Sequence, residues 1–249
     1  MDEADHIPEK RRNKQAIRYN GREMKTLIIN TALPQTEIAL IEGDEIIFAD
    51  AWTSNYDEAQ QILNRLEKII PKKIAQNAKT TAEKPASIDE IFVVEGPGAF
   101  TGLRVGVTVA NTLAFVYGVK IRSCDTFTYL LHKIPQSHAE STAIMLCAGR
   151  QVALSIPLDK KIHKIEKDEL KTFLAHHKKI CYIISDVRKE NRKDYPLPKD
   201  IKWIEAQALS TCAKTVLSIL KTNPPQHKQV KPKYLAPPHI TKSKKQICA

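Results

Sequence analysis

The residues best suited to chemistry lie in one loop, Glu95-Gly96-Pro97-Gly98-Ala99-Phe100-Thr101-Gly102. Three of its last seven positions are glycine, so main-chain N–H groups can approach an anion without side-chain obstruction. A helix starting there would add the partial positive charge of its N-terminus. Gly96, Pro97, Gly98 and Thr101 therefore form a candidate phosphate loop. It is not a P-loop, because no Lys-Ser or Lys-Thr follows. Phosphate held between two halves of a protein needs a second glycine turn, and after Gly118 only Gly149 remains. ATP hydrolysis is accordingly not expected.

Other chemistries find less material. His132 and His138 lie six apart, His176 and His177 are adjacent, and no pair sits at i, i+4 to grip a metal from one helix. There is no Gly-x-Ser-x-Gly elbow. The five cysteines, Cys124, Cys147, Cys181, Cys212 and Cys248, are scattered without a C-x-x-C pair, which fits a reducing cytosol and excludes a zinc knuckle. The sequence assigns no catalytic residue, metal or cofactor. The longest apolar stretch, Leu103 to Val119, contains Arg104 and Asn111 and falls short of the roughly 20 residues of a membrane span. A cytoplasmic protein is expected.

The loop must be positioned by regular elements, and the pattern supplies them. Ile91-Phe92-Val93-Val94 reads as a strand buried on both faces, and it feeds a helix from about Gly102 to Tyr117 that ends at Gly118. Before it come strands at Thr26 to Ile29, Glu37 to Ile41 and Glu45 to Phe48, then a helix over Asp57 to Ile70 stopped by Pro71. Residues 72–87 read as a connecting loop, and Val119 to Arg122 gives a fifth strand. The second half repeats the theme more weakly. Strands are expected near Ala143 to Leu146, Val152 to Ile156, Ile180 to Ile184 and Ile201 to Ile204, with helices near Lys167 to His176 and Ala206 to Lys221.

Residues 1–23 are polar and read as a disordered arm, with Met24 opening the folded part. Residues 222–249, with five prolines and no carboxylate side chain, read as an extended basic tail. The net charge of +11 is lopsided: residues 26–135 carry ten basic and thirteen acidic side chains, residues 136–249 twenty-two and ten. A basic second half suits a polyanion, as it also suits simple solubility.

On the long helix, Gly102, Gly106, Ala110 and Ala114 recur every four residues, leaving a ridge almost without side chains. Another helix can approach such a ridge closely, whether it comes from this chain or from a partner. Arg104 is the one charge on this helix, an unfavourable cation near its N-terminus, and reads as an interface side chain or a partner for Glu95.

The β-β-β-α-β-α-β order up to residue 122 resembles half of an actin-like, ribonuclease-H-like (ASKHA) fold, so the fold class is α/β with two such subdomains, the second reduced. Boundaries fall at 24–125 and 126–221. Val93 to Gly106 resembles the signature of the TsaB (YeaZ) family; Leu27-Ile28-Ile29-Asn30-Thr31-Ala32 is similar to its first strand and turn, and Pro232 to Pro238 to its C-terminal segment. Two positions depart from the family's habit: Asn30 stands where Asp is usual, and Cys147-Ala148-Gly149-Arg150 where an Asp-Ala-Arg or Asp-Ala-Gly-Arg turn is usual. Both changes remove carboxylates that could hold a cation.

The resemblance implies a non-catalytic scaffold in the biosynthesis of threonylcarbamoyladenosine (t6A) on tRNA. It would dock a TsaD-like catalytic subunit, be joined by a TsaE-like ATPase, and form a homodimer through the same region. The expected partner surface comprises Leu63, Leu66, Gly102, Arg104, Gly106, Ala110, Leu113 and Ala114, with an auxiliary tRNA contact from the basic half. The competing reading is an actin-like ATPase or carbamoyltransferase acting alone, supported only by the Gly-Pro-Gly loop.

Overall fold

The computed structural model describes residues 18–19, 22–53, 57–70, 88–157, 159, 161–206 and 210–235. The expected arm, apart from a two-residue pairing of β1 (Arg18–Tyr19) with β2 (Arg22–Glu23), lies outside these residues. So do the loop at 72–87 and the end of the tail from residue 236.

Two sheets organise the chain. In the first, β3 (Lys25–Asn30), β4 (Gln35–Glu42) and β5 (Glu45–Thr53) form an antiparallel meander. Beyond it, β6 (Glu90–Val94) and β7 (Lys120–Cys124) run parallel to β3. The second sheet repeats this. An antiparallel meander of β8 (Thr142–Ala148), β9 (Gln151–Ser155) and β10 (Ile162–Glu166) is extended from β8 by parallel β11 (Tyr182–Ser185) and β12 (Lys202–Ile204). The second half is thus a full copy in its strands and reduced in its helices. Where the first half has α1 (Glu58–Ile69) and α2 (Phe100–Tyr117), the second has α4 (Leu170–Ala175) and a 3-10 turn at Lys189–Asp194.

The hydrophobic pattern shows why the sheets stack. On β8 the side chains alternate: Ile144 and Leu146 join the first core beside Ala153 and Ile184, whereas Ala143 and Met145 join a second core with Leu154, Leu170 and Ile183. A strand so divided is covered on both faces, as its apolar run requires. The middle strands are likewise buried, β6 from end to end and β3 from Thr26 onward, and each fully buried Ile or Phe contributes about 1.5–3 kcal/mol.

The cores do not divide at residues 125 and 221. Two helices that lie within 126–221 pack on the first core. The first, α3 (Thr126–Lys133), is capped by the Asp125 carboxylate accepting from the Thr128 N–H at 2.8 Å; the second, α5 (Cys212–Leu220), packs on α3 and on β3, β4 and β5. Phe127, Leu130, Ala213, Val216 and Ile219 all belong to the first core. The first lobe is therefore closed by segments from both ends of the sequence, and the second core is confined to residues 143–203.

The tail reading needs a similar correction. Residues 222–235 are extended but docked, because their main chain finds partners on the first lobe. β13 (Gln226–His227) pairs antiparallel with β7. The Asn111 side chain then holds the Val230 N–H and C=O, both at 2.9 Å, and the Lys233 N–H donates to the Glu95 carbonyl at 2.7 Å. Among the described residues no helix is long and apolar enough to cross a membrane.

Candidate functional site

The Gly-Pro-Gly loop leaves the C-terminal end of β6 and enters α2, the edge of a parallel sheet at which ligands usually bind. It is held from three sides. Gly96 has φ +104°, open to glycine at little cost, and any side chain there would strike the Lys233 carbonyl of the docked tail and the Leu103 side chain. The Gly96–Pro97 bond is cis. Gly98 lies flat against the Ala32 carbonyl, and the Ala99 N–H donates to that oxygen at 3.3 Å. The Glu95 carboxylate accepts from Lys233 Nζ at 2.6 Å and from the Ser123 hydroxyl at 3.2 Å.

Of the four expected phosphate-loop residues, Gly98 lines a recess of about 310 Å³ between the lobes, and the other three line neither this recess nor the larger one described below. Gly96 and Pro97 are buried away from it, and Thr101 is exposed on α2. Facing Gly98 and Ala99 are Cys147, Asp186, Arg188, Asn191 and Tyr195 of the second lobe. Burial pushes the Asp186 carboxyl up to about 6, against the opposing effect of the Cys147 N–H, which donates to its Oδ1 at 3.0 Å. Cys147 donates its S–H to the Tyr195 hydroxyl at 3.1 Å, and burial pushes its thiol up to about 12. A thiol so protonated at neutral pH is a poor nucleophile. The recess thus offers phosphate a carboxylate that is largely ionised at pH 7, with Arg188 as the cation on the same wall.

A second, larger recess of about 590 Å³ has the Glu37–Lys133 ion pair on its lining. Lys133 Nζ donates to Glu37 Oε1 at 2.8 Å and to the Ser210 carbonyl at 3.0 Å, while Tyr129 and Asn30 donate to Oε2 at 2.6 and 2.8 Å. Every hydrogen-bonding oxygen of this buried carboxylate is engaged, so the pair ties β3 and β4 to α3 and to the segment that leads into α5. The departure at Asn30 is explained by this network. Its Nδ2 serves Glu37 and its Oδ1 accepts the Ala32 N–H at 3.1 Å, a double role that a carboxylate could not fill.

The expected partner surface divides when placed on the fold. Gly102, Gly106, Ala110 and Ala114 are buried inside this chain, as is Leu66. The small-residue ridge lets the turn after β3 approach α2: the Thr31 carbonyl lies 2.9 Å from where a Gly102 Cβ would stand, and the Thr31 side chain occupies the place of a Gly106 Cβ. The ridge is therefore an internal contact and not an open docking groove. Leu113 is half-buried, and Leu63 and Arg104 are exposed. Arg104 is not the partner of Glu95, which is taken by Lys233; its guanidinium lies over the Phe100 ring, 4.2 Å from the centroid. Sequence reasoning missed Phe115 and Val116 as surface residues, because a helix apolar all round gives no sign of which face is open. It also missed Asp186, although a lone carboxylate ending the Ile183-Ile184-Ser185 run marks the C-terminal end of a parallel strand.

Comparison with known proteins gives a consistent picture. Residues 60–181 match the family model described as TsaD, tRNA N6-adenosine threonylcarbamoyltransferase. A stretch of 46 residues is 39% identical to the tRNA threonylcarbamoyladenosine biosynthesis protein TsaB of Bacillus subtilis, spanning 18% of this chain and 20% of that protein's length. The fold is similar to that of YeaZ from Pseudomonas aeruginosa, with a TM-score of 0.57 at 16% identity, covering 85% of this chain and 100% of the other. A second Pseudomonas aeruginosa structure, described as similar to peptidase YEAZ, gives 0.57 at 15% identity, over 86% of this chain and 100% of that one.

Proposed function

We propose that the chain is a member of the TsaB (YeaZ) family and that it serves tRNA threonylcarbamoyladenosine biosynthesis as a non-catalytic subunit that docks a TsaD-like catalytic subunit, a reading supported by the partial sequence matches and the shared fold. The observation that carries this is the outward side of α1 and α2. There Leu63 is 51% exposed, Phe115 88% and Val116 54%, with half-buried Val105, Val109 and Leu113 alongside. Apolar side chains on two adjacent helices favour burial against helices of a partner, and a standard interface of about 1,600 Å² would cover them. The same surface serves a homodimer in the absence of the partner. A TsaE-like ATPase joins the assembly, and the basic second half adds a contact to tRNA.

The reading as an ATPase or carbamoyltransferase acting alone rests on the 310 Å³ recess. Against it stands Asp186, which at neutral pH repels the phosphate that the glycine loop would attract.

The test is co-purification of the chain with a TsaD-like subunit. Leu63→Glu and Phe115→Glu each place a charge in the surface without touching the core, and each should weaken the heterodimer by about 30-fold or more, the loss expected for a hot-spot residue. An unchanged heterodimer in both variants would remove α1 and α2 as the docking surface. Calorimetric titration of the isolated chain with ATP and Mg²⁺ checks the rival reading, which requires micromolar binding.

A further inference from the structure

Among residues whose side chains are described, three aromatics are exposed, Phe100, Phe115 and Tyr234, and two of these touch. The Tyr234 ring, brought in by the docked tail, lies 5.0 Å from the Phe100 ring at 35°, and the Arg104 guanidinium lies over Phe100 at 4.2 Å. Phe100 and Tyr234 remain 37% and 36% exposed. Arg104 makes no ion pair with a described residue. Lys233, adjacent to Tyr234, and Lys164, whose ammonium reaches the Leu235 carbonyl at 3.5 Å, add cations along the tail. Three carboxylates are near: Glu95, paired with Lys233, Asp125, whose charge also acts on Lys233, and Glu58, beside Gly102.

We propose that the Phe100–Tyr234–Arg104 cluster is a stacking platform for an unpaired segment of RNA. Aromatic planes interleaved with a guanidinium are the combination on which successive bases stack, and flanking ammonium groups track the phosphates. The charge of +11, concentrated in the half that supplies Lys164, Tyr234 and Lys233, favours a polyanion over a peptide. The platform is an open surface, and its three residues line neither recess between the lobes, so a strand contacting several side chains suits it better than one enclosed nucleotide. The inference deepens the reading above and rests on it only for the choice of RNA over DNA.

The experiment is fluorescence anisotropy of a labelled single-stranded RNA decamer with the full-length chain, at two salt concentrations. Tyr234→Ala and Arg104→Gln should each weaken binding roughly 5- to 150-fold, the range expected for loss of one stacked base. Lys171→Ala, an exposed lysine of α4 outside the cluster, should change affinity less than threefold. Circular dichroism confirms that each variant is folded, and Arg104→Gln, on the surface of a long helix, keeps the test open should Tyr234→Ala loosen the tail. Absence of binding by the unmodified chain at low salt overturns the proposal. So does an equal loss in Lys171→Ala, which would mean charge alone, or labelled AMP binding as tightly as the decamer. Loss of TsaD co-purification with RNA binding intact in Tyr234→Ala would assign the cluster to a protein partner and overturn it as well. Because docking is read by co-purification and the platform by RNA binding, either can fail alone.

Discussion

Gly106→Ala tests whether the small-residue ridge of α2 serves this chain or a partner. A methyl group at that position meets the Thr31 side chain at Oγ1, with Cγ2 at 2.9 Å and Cβ at 3.1 Å. Thr31 is 1% exposed and branched at Cβ, so it has little freedom to turn away. Alanine gains up to about 1 kcal/mol of helix propensity over glycine. Overpacking of a filled core costs about 1–3 kcal/mol, and here the neighbour sits at the end of a central strand. The net expectation is a loss of roughly 1–2 kcal/mol, the difference of the two effects. For a chain of this size that is about 2–8 °C in the melting midpoint. Thr31→Ala provides the control. Its hydroxyl is buried without a hydrogen-bond partner among the described residues, so removing it relieves a desolvated group and clears the space. The double variant Gly106→Ala/Thr31→Ala should therefore be more stable than additivity allows, with a coupling of about 1 kcal/mol or more. Urea unfolding of the four proteins measures the cycle. Equal stability of Gly106→Ala and the parent, or a coupling near zero, would refute the contact as the reason for glycine.

Further expectations concern the buried network, the docked tail and the recess. Lys133→Met leaves Glu37 charged and unpaired in the core and should cost about 3–5 kcal/mol, much of it recovered by adding Glu37→Gln, as urea titrations will report. Asn111→Ala strips the Val230 N–H and C=O of their partners; about 1–3 kcal/mol is lost locally, and amide exchange should accelerate over 226–235 before the sheets respond. Asp186 is raised to about 6 in the folded chain from 3.8, so the folded state binds its proton more tightly than the unfolded one. Its ionisation therefore opposes folding above about pH 6, and that penalty fades as pH falls from 6 toward 4. Asp186→Asn should raise stability at pH 7 and reduce the slope of stability against pH in that window, measured by thermal melts across the range.

Much of the first lobe was legible because its apolar runs are long and its punctuation strong. Ile91 to Val94 followed by Gly96 and Gly98, and Gly118 after a continuous helix, each admit few alternatives. The left-handed φ of 64° at Gly118, whose N–H reaches the Ala114 and Phe115 carbonyls, is the helix end that its glycine announces. The helix α3 was missed because Thr126, Phe127, Thr128 and Tyr129 favour strands locally; the Asp125 cap and the packing on α5 override them. β10 was missed because only Ile162 and Ile165 are apolar in an edge strand. The site was less legible than the fold. Spacing on α2 shows that Gly102 and Gly106 admit a close neighbour, but not that the neighbour is Thr31, more than seventy residues earlier in the chain.

The closing of the first lobe by α5 and the docked tail sets an order of events during synthesis. The residues of the second core, 143–203, form one uninterrupted stretch and have all their partners once that stretch has left the ribosome. The first lobe begins emerging earlier yet stays unfinished, with the faces of β3 and β4 that α5 will cover open to water until residue 220 is made, and the edge of β7 open until residue 227. At roughly 5–20 residues per second, synthesis of the hundred residues between β7 and β13 takes on the order of 5–20 s. The half that starts first is thus the half completed last, and chaperones would meet it as an incomplete sheet.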